Sequence, residues 1–150
     1  MTNRQPIFTS TVILEVQTFD PALATNNYDI GNFTPTLVHY GNLNGELIER
    51  ITVSACGDLT NPYVSAKLVY LYISDYNTGL WNLYKVGTIP ETTVTSNTPN
   101  PEIVWTFDGG LTLGTTSHNQ LGIAASVNYN SYNRYADYLS VTVEGSEYIV

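Results

Sequence analysis

The chain is poor in charged residues, and poorest in positive ones. It has 5 Lys and Arg against 13 Asp and Glu, which gives 150 residues a formal net charge of −8. Charged residues make up 12% of the chain, about half of the usual quarter. Nucleic acids and anionic membrane surfaces are bound by clustered Lys and Arg, so we expect this protein to bind neither.

Cysteine and long apolar runs are also scarce. Cys56 is the single cysteine, which excludes an internal disulfide and a cysteine-rich zinc site. The apolar runs are short, as in Leu68–Ile73, whereas a membrane-spanning helix needs about 20 residues. Residues Met1–Pro6 do not form the apolar core of a signal peptide. We therefore expect synthesis and folding in a reducing cytoplasm.

No residue pattern of a catalytic or metal site is present. His39 and His118 fall in different predicted elements, with no Cys or carboxylate at ligand spacing. There is no Gly-x-Ser-x-Gly turn and no phosphate-binding glycine run. A glycosidase would need a carboxylate pair, which nothing in the sequence selects. We predict a non-enzymatic protein without catalytic residues, metal or cofactor, and keep the glycosidase as the weakest alternative.

Thr, Asn and the 12 Tyr take the place of charge. β-branched and aromatic residues favour strands, and strong helix formers are sparse. Alternation of apolar and polar residues marks the strands. The predicted strands are Phe8–Thr18, Thr34–Tyr40, Glu46–Ala55, Tyr63–Asp75, Leu80–Ile89, Glu102–Phe107, Leu111–Leu113, Gln120–Val127 and Tyr138–Glu144.

The alternation also predicts which side chains share a face. Segment Leu68–Ile73 is apolar at successive positions, which is typical of a central strand covered on both sides. Asp75–Gly79 has the turn chemistry of a short hairpin loop. The apolar sets are Phe8, Val12, Leu14 and Val16; Leu47, Ile51, Val53 and Ala55; Leu121, Ile123, Ala125 and Val127; and Leu139, Val141 and Val143.

Eight or nine short strands with a turn every 8–12 residues are typical of a sandwich or jelly roll. We predict an all-β fold, a jelly-roll-like antiparallel β-sandwich of about eight or nine strands. It forms one domain over residues 1–150, with residues 1–18 as an N-terminal arm or an edge strand. Asp20–Phe33 and Pro90–Pro101 are long for loops in such a domain, and long loops are often functional.

Tyrosine and asparagine alternate in Asn128–Tyr135. Tyr offers a stacking face with a polar tip, and Asn offers paired donors and acceptors, so such a loop suits protein interfaces and sugar rings. The alternative is an ordinary polar loop. The candidate interface or glycan residues are Tyr129, Tyr132, Tyr135, Asn130 and Asn133, together with Tyr70, Tyr72 and Trp81.

The order of motifs resembles a group of small proteins encoded among the head genes of tailed phages. The motifs are Glu46–Ala55, Leu68–Asp75 with its glycine turn, Leu83–Ile89, Trp105–Phe107 with Gly110–Leu113, Gln120–Ser126 and Leu139–Tyr148. The resemblance covers residues 30–148. This chain departs from the pattern in having Tyr70 where an Arg is typical, so a contact made by that Arg is not carried over.

The resemblance implies a structural virion protein with a β-sandwich fold, made in the host cytoplasm. The expected role is an auxiliary or decoration protein on the capsid. The expected partners are further copies of itself, for which trimers are one arrangement, and the major capsid protein or other virion proteins. A neck or tail component and a glycan-binding module for host adhesion stay open as alternatives.

Overall fold

The computed structural model describes residues 9–19, 35–41, 45–57, 62–75, 77–114, 118–125 and 138–148. The loops predicted at Asp20–Phe33 and Asn128–Tyr135 lie outside these ranges. None of the described residues belongs to a helix long and apolar enough to cross a membrane. The strands are β1 Thr9–Phe19, β2 Thr36–Tyr40, β3 Glu46–Ala55, β4 Tyr63–Val64, β5 Lys67–Asp75, β6 Trp81–Ile89, β7 Thr92–Thr93, β8 Glu102–Leu113, β9 His118–Ala125 and β10 Leu139–Tyr148.

Eight of these strands form two four-stranded antiparallel sheets. The first sheet has the order β1-β10-β3-β8 and the second has the order β2-β9-β5-β6. β5 and β6 form a hairpin, and outward from it β3 pairs with β8, β2 with β9 and β1 with β10. A long two-stranded ribbon has thus coiled on itself, which is the topology of a jelly roll. The predicted all-β, jelly-roll-like antiparallel sandwich is confirmed.

The core lies between the two sheets. Leu139, Val141 and Val143 are buried there, as their alternation predicts. On the facing sheet, Gly87 of β6 lies so close to Ile103 of β8 that an added Cβ would be 2.7 Å from the isoleucine side chain. The two sheets therefore approach closely at this edge only because position 87 has no side chain.

The turn predicted at Asp75–Gly79 joins β5 to β6. The Asp75 amide donates to the Leu80 carbonyl, and the Gly79 amide donates to the Asp75 carbonyl. The Asp75 carboxylate accepts from the Asn77 amide, and Gly79 has φ of +67°. The Asp and Gly have the roles that turn chemistry assigns them, and the hairpin sets the register of the second sheet.

Two β-bulges change the predicted faces and boundaries. Between Glu144 and Gly145, β10 advances one residue while β3 advances two, so Glu49 is an extra residue in β3. Ile48 is therefore buried, and Leu47 does not share the core face with Ile51, contrary to the prediction. A bulge reverses the side-chain alternation on one side of it, and this reversal is invisible to a period-two pattern.

A larger bulge merges two predicted strands. Glu102–Phe107 and Leu111–Leu113 are parts of the single strand β8, not separate strands. Arg50 pairs with Thr106 and Ile48 pairs with Leu111, so Phe107–Gly110 bulges from the edge of the sheet. Gly109 and Gly110 have φ of +74° and +80°. Such angles suit glycine, and they let the strand resume its pairing after the bulge.

Exposed apolar side chains lie on the outer faces of both sheets. Leu14 and Val16 share a face, as predicted, and it is the exposed outer face of the first sheet. β5 is central in strand order, as predicted for Leu68–Ile73. On its outer face Leu68 is exposed, whereas Tyr70 and Tyr72 are half-buried. Alternation shows which residues share a face, whereas only packing decides which face is covered.

A buried polar contact joins the two sheets. Nε2 of His39 on β2 lies 2.5 Å from Oε2 of Glu46 at the start of β3, and each side chain is 3% exposed. His39 and Glu46 thus lie on the two strands between which the chain passes from the second sheet to the first. A buried carboxylate needs a partner of this kind, so the pair holds this end of the sandwich in one arrangement.

Candidate interaction surface

The outer face of the second sheet carries large apolar and aromatic side chains from β2, β5 and β6. In cross-strand register, Tyr70 lies opposite Val86, and Tyr72 lies opposite Leu83. We call this surface the apolar face. Its large side chains are Leu37, Tyr40, Leu68, Tyr70, Tyr72, Trp81, Leu83 and Val86, of which Leu37, Tyr40, Leu68, Leu83 and Val86 are 42–58% exposed.

Trp81 is held on this face by small neighbours. It pairs with Ser74 on β5, and its ring extends toward Gly122 on β9. A Cβ added at Gly122 would lie 3.0 Å from Cζ3 of Trp81 and 2.6 Å from Cγ of Pro35. The absence of a side chain at Gly122 therefore lets the indole and the proline ring rest on the sheet, where Trp81 is half-buried.

The apolar face carries no charge at the positions that the register assigns to it. The polar residues there are neutral, namely Ser74, Thr88 and Gln120. The outer face of the first sheet differs, because Arg50 and Glu144 form an ion pair there. Among the described residues, the two outer faces therefore differ in charge.

The dimensions of the apolar face match those of an interaction site. Four strands about 4.8 Å apart make a face roughly 19 Å wide, and its length falls from about 30 Å along the nine residues of β5 and β6 to about 17 Å along the five of β2. Apolar patches of several hundred Å² on a folded domain mark sites of protein contact or ligand binding. Neighbouring apolar side chains without charge are what the desolvated centre of a protein interface contains.

The structure brings together three of the predicted site residues and leaves five undecided. Tyr70, Tyr72 and Trp81 lie on the apolar face. Leu37, Tyr40, Leu68, Leu83 and Val86 were not predicted as site residues. Leu83 and Val86 are three positions apart, as are Leu37 and Tyr40, so only the bulges at Tyr84 and Val38 place each pair on one face. The other five candidates, Tyr129, Tyr132, Tyr135, Asn130 and Asn133, lie outside the described residues.

Groups capable of acid–base or metal chemistry lie away from the apolar face. His39 and Glu46 are in the interior, in contact with each other. Burial raises the pKa of the Cys56 thiol, which lowers its thiolate fraction and hence its reactivity. Within the described ranges, no three His, Cys, Asp or Glu side chains form a group that could hold a metal ion.

By fold and surface, this chain is a jelly-roll β-sandwich whose second sheet has an outer face of apolar and aromatic side chains. No protein-family model matches it, and a search of curated proteins finds no match. Among solved structures, it is similar to a chain in the structure of infectious bursal disease virus, Gt strain, with 11% sequence identity and a TM-score of 0.32. The match covers 93% of this chain, which spans 30% of the length of the viral one. At that TM-score the likeness carries no argument about function.

Proposed function

We propose that this chain is a structural, non-enzymatic protein of a phage virion, attached to the capsid as an auxiliary or decoration protein through the apolar face. The observation that carries the proposal is the apolar face itself, on which Leu37, Tyr40, Leu68, Leu83 and Val86 are 42–58% exposed and the register places no charged residue. The resemblance of the motif order to phage head-gene proteins supports the virion assignment. Jelly rolls also build viral capsid domains, which agrees with the proposal without selecting it.

The exposed side chains indicate how strong the attachment of one copy is. Five half-exposed apolar side chains present about 450 Å² in total, and at about 25 cal/mol per Å² their burial contributes roughly 11 kcal/mol. Association itself costs an estimated ~4–15 kcal/mol. A single copy is therefore expected to bind weakly to moderately, and stable attachment follows when several copies bind one lattice together.

The charge distribution favours attachment to protein over the other surfaces available in a virion. A neutral apolar face gains nothing from phosphates, and the net charge of −8 opposes contact with nucleic acid. The same net charge favours solubility of the free protein before assembly. Contact through the apolar face leaves the charged residues Arg50 and Glu144 solvated, so no ion pair has to be desolvated.

Co-sedimentation with shells of the cognate major capsid protein tests the proposal. Val86 and Val104 are a matched pair, since they are 50% and 46% exposed on the edge strands of opposite sheets. Val86→Asp places a charge on the apolar face and is expected to weaken shell binding by about tenfold or more. Val104→Asp places the same charge on the other sheet and is expected to bind like the parent.

Three outcomes would contradict the proposal. In the first, the parent protein fails to sediment with shells. In the second, both valine variants bind as well as the parent. In the third, the parent binds whole virions but not shells, and this result favours a neck or tail position. A glycan array distinguishes the host-adhesion alternative. Sugar binding that is lost in Trp81→Ala, without binding to shells, would replace the proposed attachment by glycan recognition.

A further inference from the structure

The four edge strands of the sandwich differ in how their edges are protected. β2 is interrupted at Val38, β6 at Tyr84, and β8 by the bulge at Phe107–Gly110. β1 pairs with β10 in unbroken register from Thr11 to Phe19. Bulges are a common means of preventing an edge strand from pairing with another chain. Among the described edges, β1 alone has a long regular stretch without this protection.

The outward side of β1 carries aliphatic residues. Leu14 and Val16 are 63% and 64% exposed. They lie opposite Glu144 and Thr142 of β10, on the outer face of the first sheet. Two large apolar side chains on an edge strand are typical of a surface that another chain covers.

The charge next to this edge is neutralised within the chain. Glu144 is the acidic residue in register with Leu14, and its carboxylate accepts a hydrogen bond from the Arg50 guanidinium. The ion pair also lowers the pKa of Glu144 and raises that of Arg50. Two copies that meet at β1 therefore bring their Glu144 carboxylates together as ion pairs with Arg50 and not as unpaired charges, even though each chain has a net charge of −8.

We infer that β1 pairs antiparallel with β1 of a second copy about a two-fold axis, which joins the two first sheets into one eight-stranded sheet. A strand that pairs antiparallel with itself is self-complementary, because each copy offers the same row of N–H and C=O groups to the other. The pairing also brings the Leu14 and Val16 side chains of both copies side by side, which removes apolar surface from water on the outer face.

The geometry of the sheet limits the register of this pairing. Directly opposite residues of an antiparallel sheet point to the same face, so the two-fold axis falls at a residue and not between two residues. With the axis at Leu14 or Val16, that residue meets its own copy. With the axis at Glu15, Leu14 meets Val16 of the second copy, and the two Glu15 residues are opposite each other, which like charge disfavours.

The inference concerns the free protein and does not depend on attachment to a capsid. Native mass measurement is the first test, and we expect twice the 16.6 kDa of one chain. The double variant Leu14→Lys/Val16→Lys is expected to be a monomer with unchanged β-sheet circular dichroism, since both positions are exposed in the single chain. A parent protein that is a monomer or a trimer, or a dimer that the double variant leaves intact, would overturn the inference.

Cross-linking tests the strand pairing directly. In a Cys56→Ser background, Leu14→Cys and Val16→Cys are oxidised separately and as a mixture. Opposite residues of paired strands have Cα atoms about 4.5–5.5 Å apart, which a disulfide can bridge. With the axis at Leu14 or Val16, that variant is expected to link on its own and again in the mixture. With the axis at Glu15, only the mixture is expected to link, so the pattern of linked samples gives the register.

Val104→Cys is the control for cross-linking by random collision. Val104 is exposed on β8, the opposite edge strand of the same sheet. We expect it to remain unlinked under the conditions that link β1. Equal cross-linking of Val104→Cys, or none in any β1 sample, contradicts the pairing. Neither result affects the capsid attachment proposed for the apolar face, so the two proposals fail independently.

Discussion

Replacing His39 by leucine should destabilise the sandwich strongly. In the parent, His39 Nε2 lies 2.5 Å from Glu46 Oε2, with both side chains nearly inaccessible to water. The substitution leaves the Glu46 carboxyl group buried without its imidazole partner. Breaking a buried pair in this way costs about 3–5 kcal/mol, because the remaining charge stays desolvated. For a domain of this size, each kcal/mol lowers Tm by about 2–4 °C, so a decrease of roughly 6–20 °C is expected.

Urea unfolding at one fixed protein concentration is the assay, since self-association would make stability depend on concentration. The transition midpoint should decrease for His39→Leu while the slope m stays the same. The double variant His39→Leu/Glu46→Met removes both polar groups and should regain most of the loss, as apolar replacement of a buried pair is often neutral or stabilising. Glu144→Gln, which breaks the exposed pair with Arg50, is the control and should change the midpoint little.

Two results would refute this reasoning about the buried pair. One is a His39→Leu variant that unfolds within about 1 kcal/mol of the parent, which would mean that water reaches Glu46. The other is a double variant whose loss of unfolding free energy equals the sum of the losses of His39→Leu and Glu46→Met measured separately. That sum would show that the two side chains do not interact.

Two further predictions concern a glycine and the cysteine. Gly145→Ala should destabilise the fold severely, because the new Cβ would lie 2.2 Å from the Leu47 carbonyl oxygen. Gly114→Ala is the control and should unfold near the parent midpoint, since its new Cβ has its nearest contact at 3.7 Å. Equal midpoints for the two variants would contradict the prediction. Cys56 should react slowly with a thiol reagent at neutral pH, since burial raises its pKa. The reaction should become faster as the pH rises or when urea unfolds the protein. Equal reaction rates of the native and the unfolded protein would contradict the prediction.

Local patterns predicted the strands and the class of fold. Asp75–Gly79 forms a hairpin because its turn residues determine backbone conformation within a few positions. Leu139, Val141 and Val143 share a buried face because successive side chains of a strand point to opposite sides. Both results depend on residues close together in the chain, and so both could be predicted from the sequence.

The prediction that Leu47 shares the core face was wrong because of a bulge. Which face of a strand is buried depends on elements far away in the chain. The extra residue Glu49 changes which of Leu47 and Ile48 is buried, and it is defined only by pairing with β10, nearly a hundred residues away. Leu14 and Val16 were recognised as an apolar pair, but their exposure depends on which side of the first sheet the core occupies.

The candidate site divides in the same way. Tyr70, Tyr72 and Trp81 could be selected from the sequence as side chains suited to contact with other molecules. Their meeting with Leu37 and Tyr40 on one face requires β2 to lie beside β9 and β9 beside β5. That strand order is a long-range property, because several arrangements satisfy the same loop lengths.

The sequence by itself determined an acidic, cysteine-poor β-protein, the positions of its turns and the alternation within its strands. These follow from backbone preferences and side-chain chemistry, which act over a few residues. The tertiary structure alone decided the jelly-roll order, the contact of His39 with Glu46 and the meeting of apolar side chains of β2, β5 and β6 on one outer face. Each of these depends on which distant segments exclude water from one another, and burial is a property of the whole assembly of strands.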